Sequence, residues 1–193
     1  MSSVDIYFGL LKEERIIAIR LDEIKKEKVI TFIAGGPNKY YDFNDEIIDK
    51  IFVKTKKNFI NQGYQLIFIP SMRTPQRIID KAQNFFDDNQ IVIQDIDKKA
   101  YLSSLKLANH IIVTCDSTSM ISEAAMSGRP IYVAQMPAIK KNTRFKKFFE
   151  LFKSLDIIKN LEDRVEEWNY KKLNETDRIS GYIEKQFKDY DFS

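Results

Sequence analysis

Residues 110–134 read His110-Ile-Ile-Val-Thr-Cys-Asp-Ser-Thr-Ser-Met-Ile-Ser-Glu-Ala-Ala-Met-Ser-Gly-Arg-Pro-Ile-Tyr-Val-Ala134. An apolar run, Ile111–Thr114, enters a hydroxyl-rich turn. An amphipathic stretch, Ser119–Ser127, follows, and a second apolar run closes the unit at Ile131–Ala134. Strand, turn, helix and strand in that order make a parallel crossover unit. Gly128 and Pro130 end the helix. The turn has a second property: a helix start offers unpaired backbone N–H groups and a partial positive charge, which together suit a phosphate. Glu123 stands four residues beyond Ser119, one turn and roughly 6 Å along the axis. A diphosphate at the helix start would therefore leave a ribose within reach of its carboxylate. The plainer reading also stands: Ser117 or Ser119 is an N-cap, and Met120, Ile121, Ala124 and Ala125 form an apolar stripe on a sheet.

The same alternation extends outward. Val29–Ala34 reads as a strand ending in Gly35-Gly36-Pro37-Asn38. A helix follows from about Asn44 to Gln62, with Ile47, Ile51 and Phe59 on one face and Gly63 beyond it. Gln65–Ile69 is a second strand, Ser71-Met-Arg-Thr-Pro75 its exit, and a helix then runs to about Phe86. Ile91–Ile93 is a short third strand and Lys98–Ala108 a helix. The expected fold is α/β, a doubly wound, Rossmann-like parallel sheet of about five strands ordered 3-2-1-4-5. Beyond it the chain reads as helical. Phe145, Phe148, Phe149 and Phe152 form a stripe that fits core packing or a membrane-surface helix. Trp168-Asn-Tyr170 precedes a last helix from Leu173 to about Phe187. The expected division is a leader or connector over 1–28, one domain over 29–188 and a frayed tail over 189–193.

Composition narrows the classes. A chain of 193 residues, 44% hydrophobic and 31% charged, suits one globular domain. A net charge of +3 with no basic block argues against a nucleic-acid partner. One cysteine and one histidine exclude a disulfide framework and leave no metal cluster to assemble, so no metal and no cofactor is expected. The N-terminus lacks a secretory pattern and no run has the length of a membrane span, which makes the cytoplasm the expected location.

In the order 3-2-1-4-5, strands one and four are neighbours whose connections leave in opposite directions, and ligands bind at such a switch point. The loops there are Gly35–Asn38 and Asp116–Ser119. Gly35, Gly36, Pro37 and Asn38 on one side and Ser117, Thr118 and Ser119 on the other are the expected diphosphate-binding groups, with Glu123 on the ribose. The glycines permit close backbone approach, and positive φ if needed; a plain turn explains them equally. Ser71, Arg73 and Thr74 are further candidates, with Arg73 on a phosphate or a base and Thr74 as ligand or helix cap. Asp116 and Met120, which flank the turn, are ligand-site candidates as well. Lys140 and Arg144, after strand five, fit a phosphate or sugar contact, or a solvated loop. Nucleophilic catalysis has no support: there is no GxSxG elbow, and Cys115 reads as a small buried residue.

Ile33-Ala-Gly-Gly-Pro37, Ser71-Met-Arg-Thr-Pro75, Val113-Thr-Cys-Asp-Ser-Thr-Ser-Met-Ile-Ser-Glu-Ala125 and Trp168-Asn-Tyr with Leu173-Asn-Glu-Thr176 resemble, in this order, the elongated-mitochondria (Elm-type) mitochondrial fission family. Its bacterial members are described as nucleoside-diphosphate-sugar glycosyltransferases or epimerase-like proteins. The resemblance covers about Val29 to Phe187. Met72 departs from it, since the family often carries a second basic residue there. The same features are similar to the donor-binding half of GT-B glycosyltransferases, in which a Ser-containing turn holds the diphosphate and a Glu six residues on binds the ribose. Ser117 and Glu123 have that spacing.

The resemblance implies one GT-B half that binds a nucleoside-diphosphate sugar for hexosyl or N-acetylhexosaminyl transfer. Almost nothing precedes Val29, so the acceptor half is expected to come from a separate subunit or a longer protein, and no catalytic base can be named. Binding of a nucleoside diphosphate without sugar transfer is the expectation for this chain alone. The rival reading is a non-catalytic interaction protein at the inner face of a membrane, through peripheral contact.

Overall fold

The computed structural model describes residues 24–162 and 164–173. The elements are β1 (Val29–Ala34), α1 (Asp45–Asn58), a 3₁₀ turn (Ile60–Gln62), β2 (Gln65–Pro70), α2 (Gln76–Phe85), β3 (Ile91–Val92), α3 (Lys98–Leu107), β4 (His110–Thr114), α4 (Thr118–Ala125), β5 (Ile131–Ala134), α5 (Thr143–Ser154) and β6 (Ile158–Asn160). All pairings within the sheet are parallel and the order is β3-β2-β1-β4-β5-β6. This is the expected doubly wound α/β sheet, extended by one strand.

The central strands are buried along their whole length. Parallel strands covered on both faces read as continuous apolar runs, which is why they stand out in the sequence. Successive residues still point to opposite faces. Phe32 and Phe68 meet Phe52 of α1 edge-on on one side. Val29, Ile67 and Ile69 pack with Ala100 of α3 on the other, where the Thr31 hydroxyl donates to the Ser104 carbonyl at 2.8 Å. Truncating a core ring such as Phe52 typically costs about 3–5 kcal/mol.

Local signals fix the helix ends. Asn44 caps α1 by accepting from the Ile47 amide, and Gly63 closes the following 3₁₀ turn at φ 90°. Asp97 caps α3 through the Lys99 and Ala100 amides, and Asn142 caps α5. The buried face of α1 is Ile48, Ile51, Phe52 and Thr55 rather than Ile47, Ile51 and Phe59. The helix stops at Asn58, so Phe59 belongs to the turn and packs against Tyr64, His110 and Tyr132 instead.

The reading of the C-terminal part as wholly helical is corrected by β6. It pairs with β5 from Ile158 to Asn160 after a turn in which Asp156 takes φ 54°. Only Ile158 of its three residues is buried, so no apolar run marks it. In α5, Phe152 is buried while Phe145, Phe148 and Phe149 are half-buried. Phe145 meets Tyr40 and Tyr41, so the aromatic stripe serves packing. No described helix is long and apolar enough to cross a membrane.

After β6 the chain forms a strap. Lys54 and Asn58 of α1 donate to the carbonyls of Leu161 and Glu162. The Tyr132 hydroxyl bonds to both backbone groups of Glu166. Trp168 covers Tyr132 and His110, and Tyr170 reaches the carbonyls of Ala125 and Arg129 just past α4. Ile24 packs on the sheet and the Lys25 amide bonds to Gln65. The rest of the leader, the tail at 189–193 and nearly all of the last expected helix, Leu173–Phe187, lie outside the described residues.

Candidate functional site

The exits of β1, β2 and β4 meet at one end of the sheet, and Asp116 ties them together. Its side chain is fully covered. It accepts from the Gly36 amide at 3.1 Å and the Thr114 hydroxyl at 2.6 Å, and it pairs with the Arg73 guanidinium at 2.6 Å. Arg73 also donates to the Gly36 carbonyl at 3.3 Å. The Gly35 amide donates to Thr114 Oγ1 at 2.8 Å, and Asn38 Nδ2 to the Asp116 carbonyl at 2.9 Å. The loops after strands one and four therefore meet at one end of the sheet, as their order required. None of Gly35–Asn38 borders the cavity beside them, because Gly35, Gly36 and Asn38 are turned to Asp116 and Thr114.

The glycines serve this contact directly. A Cβ on Gly35 would stand 2.2 Å from the Asp116 carboxylate. Neither Gly35 nor Gly36 has positive φ, which is confined among the described glycines to Gly63 and Gly128. Close approach is thus the reason for the pair, and what approaches is protein. Both glycine amides are spent inside the chain. Asn38 orders its own loop by accepting from Tyr40 and Tyr41, and Pro37 is exposed.

Ser71 and Thr74 are structural partners as well. Thr74 Oγ1 reaches the carbonyls of Ala34 and Gly35 and takes the Ser71 amide. It does not cap α2, whose N-cap position is Pro75. The N-cap of α4 is Ser117, whose hydroxyl accepts from the Met120 amide. Helix geometry leaves the amides of Thr118 and Ser119 without intrahelical partners; Thr118 is half-buried and Ser119 exposed.

Beside this junction lies a cavity of about 330 Å³, bounded by Ile33, Pro70–Arg73, Ile96–Lys98, Tyr101, Ser117, Met120 and Glu123. Its charged groups are Arg73 and Lys98, Asp97 and Glu123, with Met72 and Ile96 exposed at the rim. Met120 lines the cavity, whereas Ile121 and Ala124 are buried. The Glu123 carboxylate accepts from the Tyr101 hydroxyl at 2.9 Å. Lys140 and Arg144 lie outside the cavity, on the loop and first turn of α5 near Tyr40.

Burial pushes the Cys115 thiol up to about 12, reinforced by the Asp116 charge, so it is protonated and inert at neutral pH. Burial raises the Tyr41 phenol to about 12 as well. The sequence alone does not mark Tyr101, Thr114 or the start of α3 as part of the site. The available signal was Asp97 capping a helix with Tyr101 one turn on, on the face that the strand order brings beside α4.

The fold is that of a GT-B half. S. aureus MnaA, in its structure with UDP, superposes with a TM-score of 0.54 at 14% identity, covering 94% of this chain and 51% of that one. A crystal structure from Listeria monocytogenes assigned as a UDP-N-acetylglucosamine 2-epimerase superposes equally, at 0.54 and 14%, covering 95% and 51%. In sequence, the uncharacterized protein RP120 of Rickettsia prowazekii (strain Madrid E) is 31% identical over 163 residues, which are 81% of this chain and 46% of the relative. The mitochondrial fission protein ELM1 of Arabidopsis thaliana is 29% identical over 119 residues, 60% of this chain and 28% of that protein. The chain thus spans less than half of the length of either relative. The family described as "Mitochondrial fission ELM1" matches residues 9–187, and to that family this chain belongs.

Proposed function

We propose that the cavity between α3 and α4 holds the nucleoside diphosphate of a nucleotide sugar, and that the domain is the donor-binding half of a GT-B-type glycosyltransferase. One observation carries the reading: the Glu123 carboxylate borders a cavity that also receives the start of α4 and the Arg73 side chain. That set matches a ribose beside a diphosphate. With the glycine amides occupied, the diphosphate's partners in the cavity are the start of α4 at Ser117 and the N–H groups of Arg73 turned to neither Asp116 nor Gly36. Met72 and Ile96 offer the apolar surface on which a base rests. In glycosyl transfer the acceptor hydroxyl bonds to the anomeric carbon and the diphosphate departs. A helix start and a guanidinium stabilise the charge that develops on it. The name of the S. aureus structure supplies the choice of UDP as first probe.

Calorimetric titration of this chain with UDP, ADP and GDP tests the proposal. One or more diphosphates should bind, and Glu123→Gln should weaken binding by about 1–3 kcal/mol, the span for hydrogen bonds to a charged group. No heat with any diphosphate, or unchanged affinity in a folded Glu123→Gln protein, overturns it.

A further inference from the structure

We infer that Tyr101 is a positioning residue that holds Glu123 as a selector for the ribose diol, so that the ligand class is ribonucleotide rather than deoxyribonucleotide. This rests on the nucleotide reading of the same cavity. Tyr101 lies one turn into α3, its amide donating to the carbonyl of the Asp97 cap at 3.0 Å. Its phenol crosses to α4 and donates to Glu123 Oε2 at 2.9 Å, between residues 22 positions apart. Both side chains border the cavity and both are half-buried.

A glutamate has three side-chain torsions, and a carboxylate free to turn must be ordered when its ligand binds. The phenolic proton fixes one oxygen, and with it the plane of the group, before any ligand arrives. An ionised carboxylate is purely an acceptor with about four lone-pair sites. Tyr101 takes one of them, and those that remain suit two adjacent hydroxyl donors. A sugar lacking one hydroxyl leaves a fixed, partly desolvated acceptor unpaired, which is where selectivity against an isostere arises. The phenol thus acts through Glu123 without donating to the ligand.

The test is calorimetry with UDP and 2′-deoxy-UDP on the wild-type chain, Tyr101→Phe, Glu123→Ala and the double variant. The wild type should prefer UDP by about 10-fold or more. Tyr101→Phe should weaken UDP by about 3- to 10-fold, leave the deoxy compound within about 2-fold and so narrow the ratio. On the Glu123→Ala background, adding Tyr101→Phe should change nothing further. A general disturbance of the fold would instead lower both affinities together and persist without Glu123; that pattern overturns the inference, with thermal melting of each variant establishing that it is folded. Equal wild-type affinity for the two nucleotides overturns it while leaving the nucleotide site standing. Binding of neither UDP nor any other diphosphate removes the site and the inference together.

Discussion

A Cβ on Gly36 would stand 1.9 Å from the main-chain carbonyl oxygen of Arg73. No side-chain rotation relieves that overlap, because the obstacle is backbone. Gly36→Ala should therefore force the exits of β1 and β2 apart and destabilise the fold by about 1–3 kcal/mol in urea unfolding. Gly63 provides the comparison: its surroundings are open but its φ is +90°. Alanine there should cost about 1–2 kcal/mol from backbone strain alone.

Arg73→Ala removes the cation from a carboxylate that is fully covered. Breaking a fully buried pair costs about 3–5 kcal/mol. The Arg73 side chain is 41% exposed, and two neutral donors remain on Asp116, so about 1–3 kcal/mol is expected. Asp116→Asn in the Arg73→Ala background should recover part of this, a coupling that a double-mutant cycle in urea measures.

His110 gives the domain a dependence on acid. The ring is enclosed by Phe59, Tyr64, Tyr132 and Trp168. Neither nitrogen has a hydrogen bond, although Nε2 lies 3.4 Å from a Glu167 carboxylate oxygen. Burial lowers its pKa, opposed by Glu167 and assisted by the Lys28 charge. The folded state thus takes up its proton at lower pH than the unfolded chain does. Stability is full above the free imidazole value of about 6.5 and declines below it, by at most about 1.4 kcal/mol per pH unit for this one group. His110→Phe should flatten that component between pH 7.5 and 5. Urea unfolding followed by the fluorescence of Trp168, the sole tryptophan, reads it directly.

Strands β1, β2, β4 and β5 were legible because each buries every residue. Parallel central strands convert burial on two faces into unbroken apolar runs. Ser117 was legible as a helix cap from its place before α4, and Glu123 from its spacing to Ser119, while the pairing of Ser117 with Glu123 rested on the family resemblance. β6 was not: a three-residue edge strand with Lys159 and Asn160 carries no such run. The role of Asp116 was hidden for a different reason. A carboxylate beside a serine-rich turn suggests a ligand contact, whereas its partners Gly36 and Arg73 stand 80 and 43 positions away in sequence. Thr74 misled similarly: before Pro75 it looks like a cap, yet its hydroxyl reaches across to the end of β1. Long-range polar contacts leave no periodic trace.

The tether at Tyr170 gives α4 the character of a beam fixed at both supports. Eight residues make a rod of about 12 Å. One end is seated in the junction around Asp116; at the other, the Tyr170 phenol of the strap reaches the Ala125 and Arg129 carbonyls, beside the Ser127 hydroxyl on the Ala124 carbonyl. No residue of the strap borders the cavity, yet its phenol braces the far end of the helix that carries Glu123. The support of the cavity accordingly extends to Tyr170, so a shortened version ending at β6 should retain every lining side chain while losing that brace.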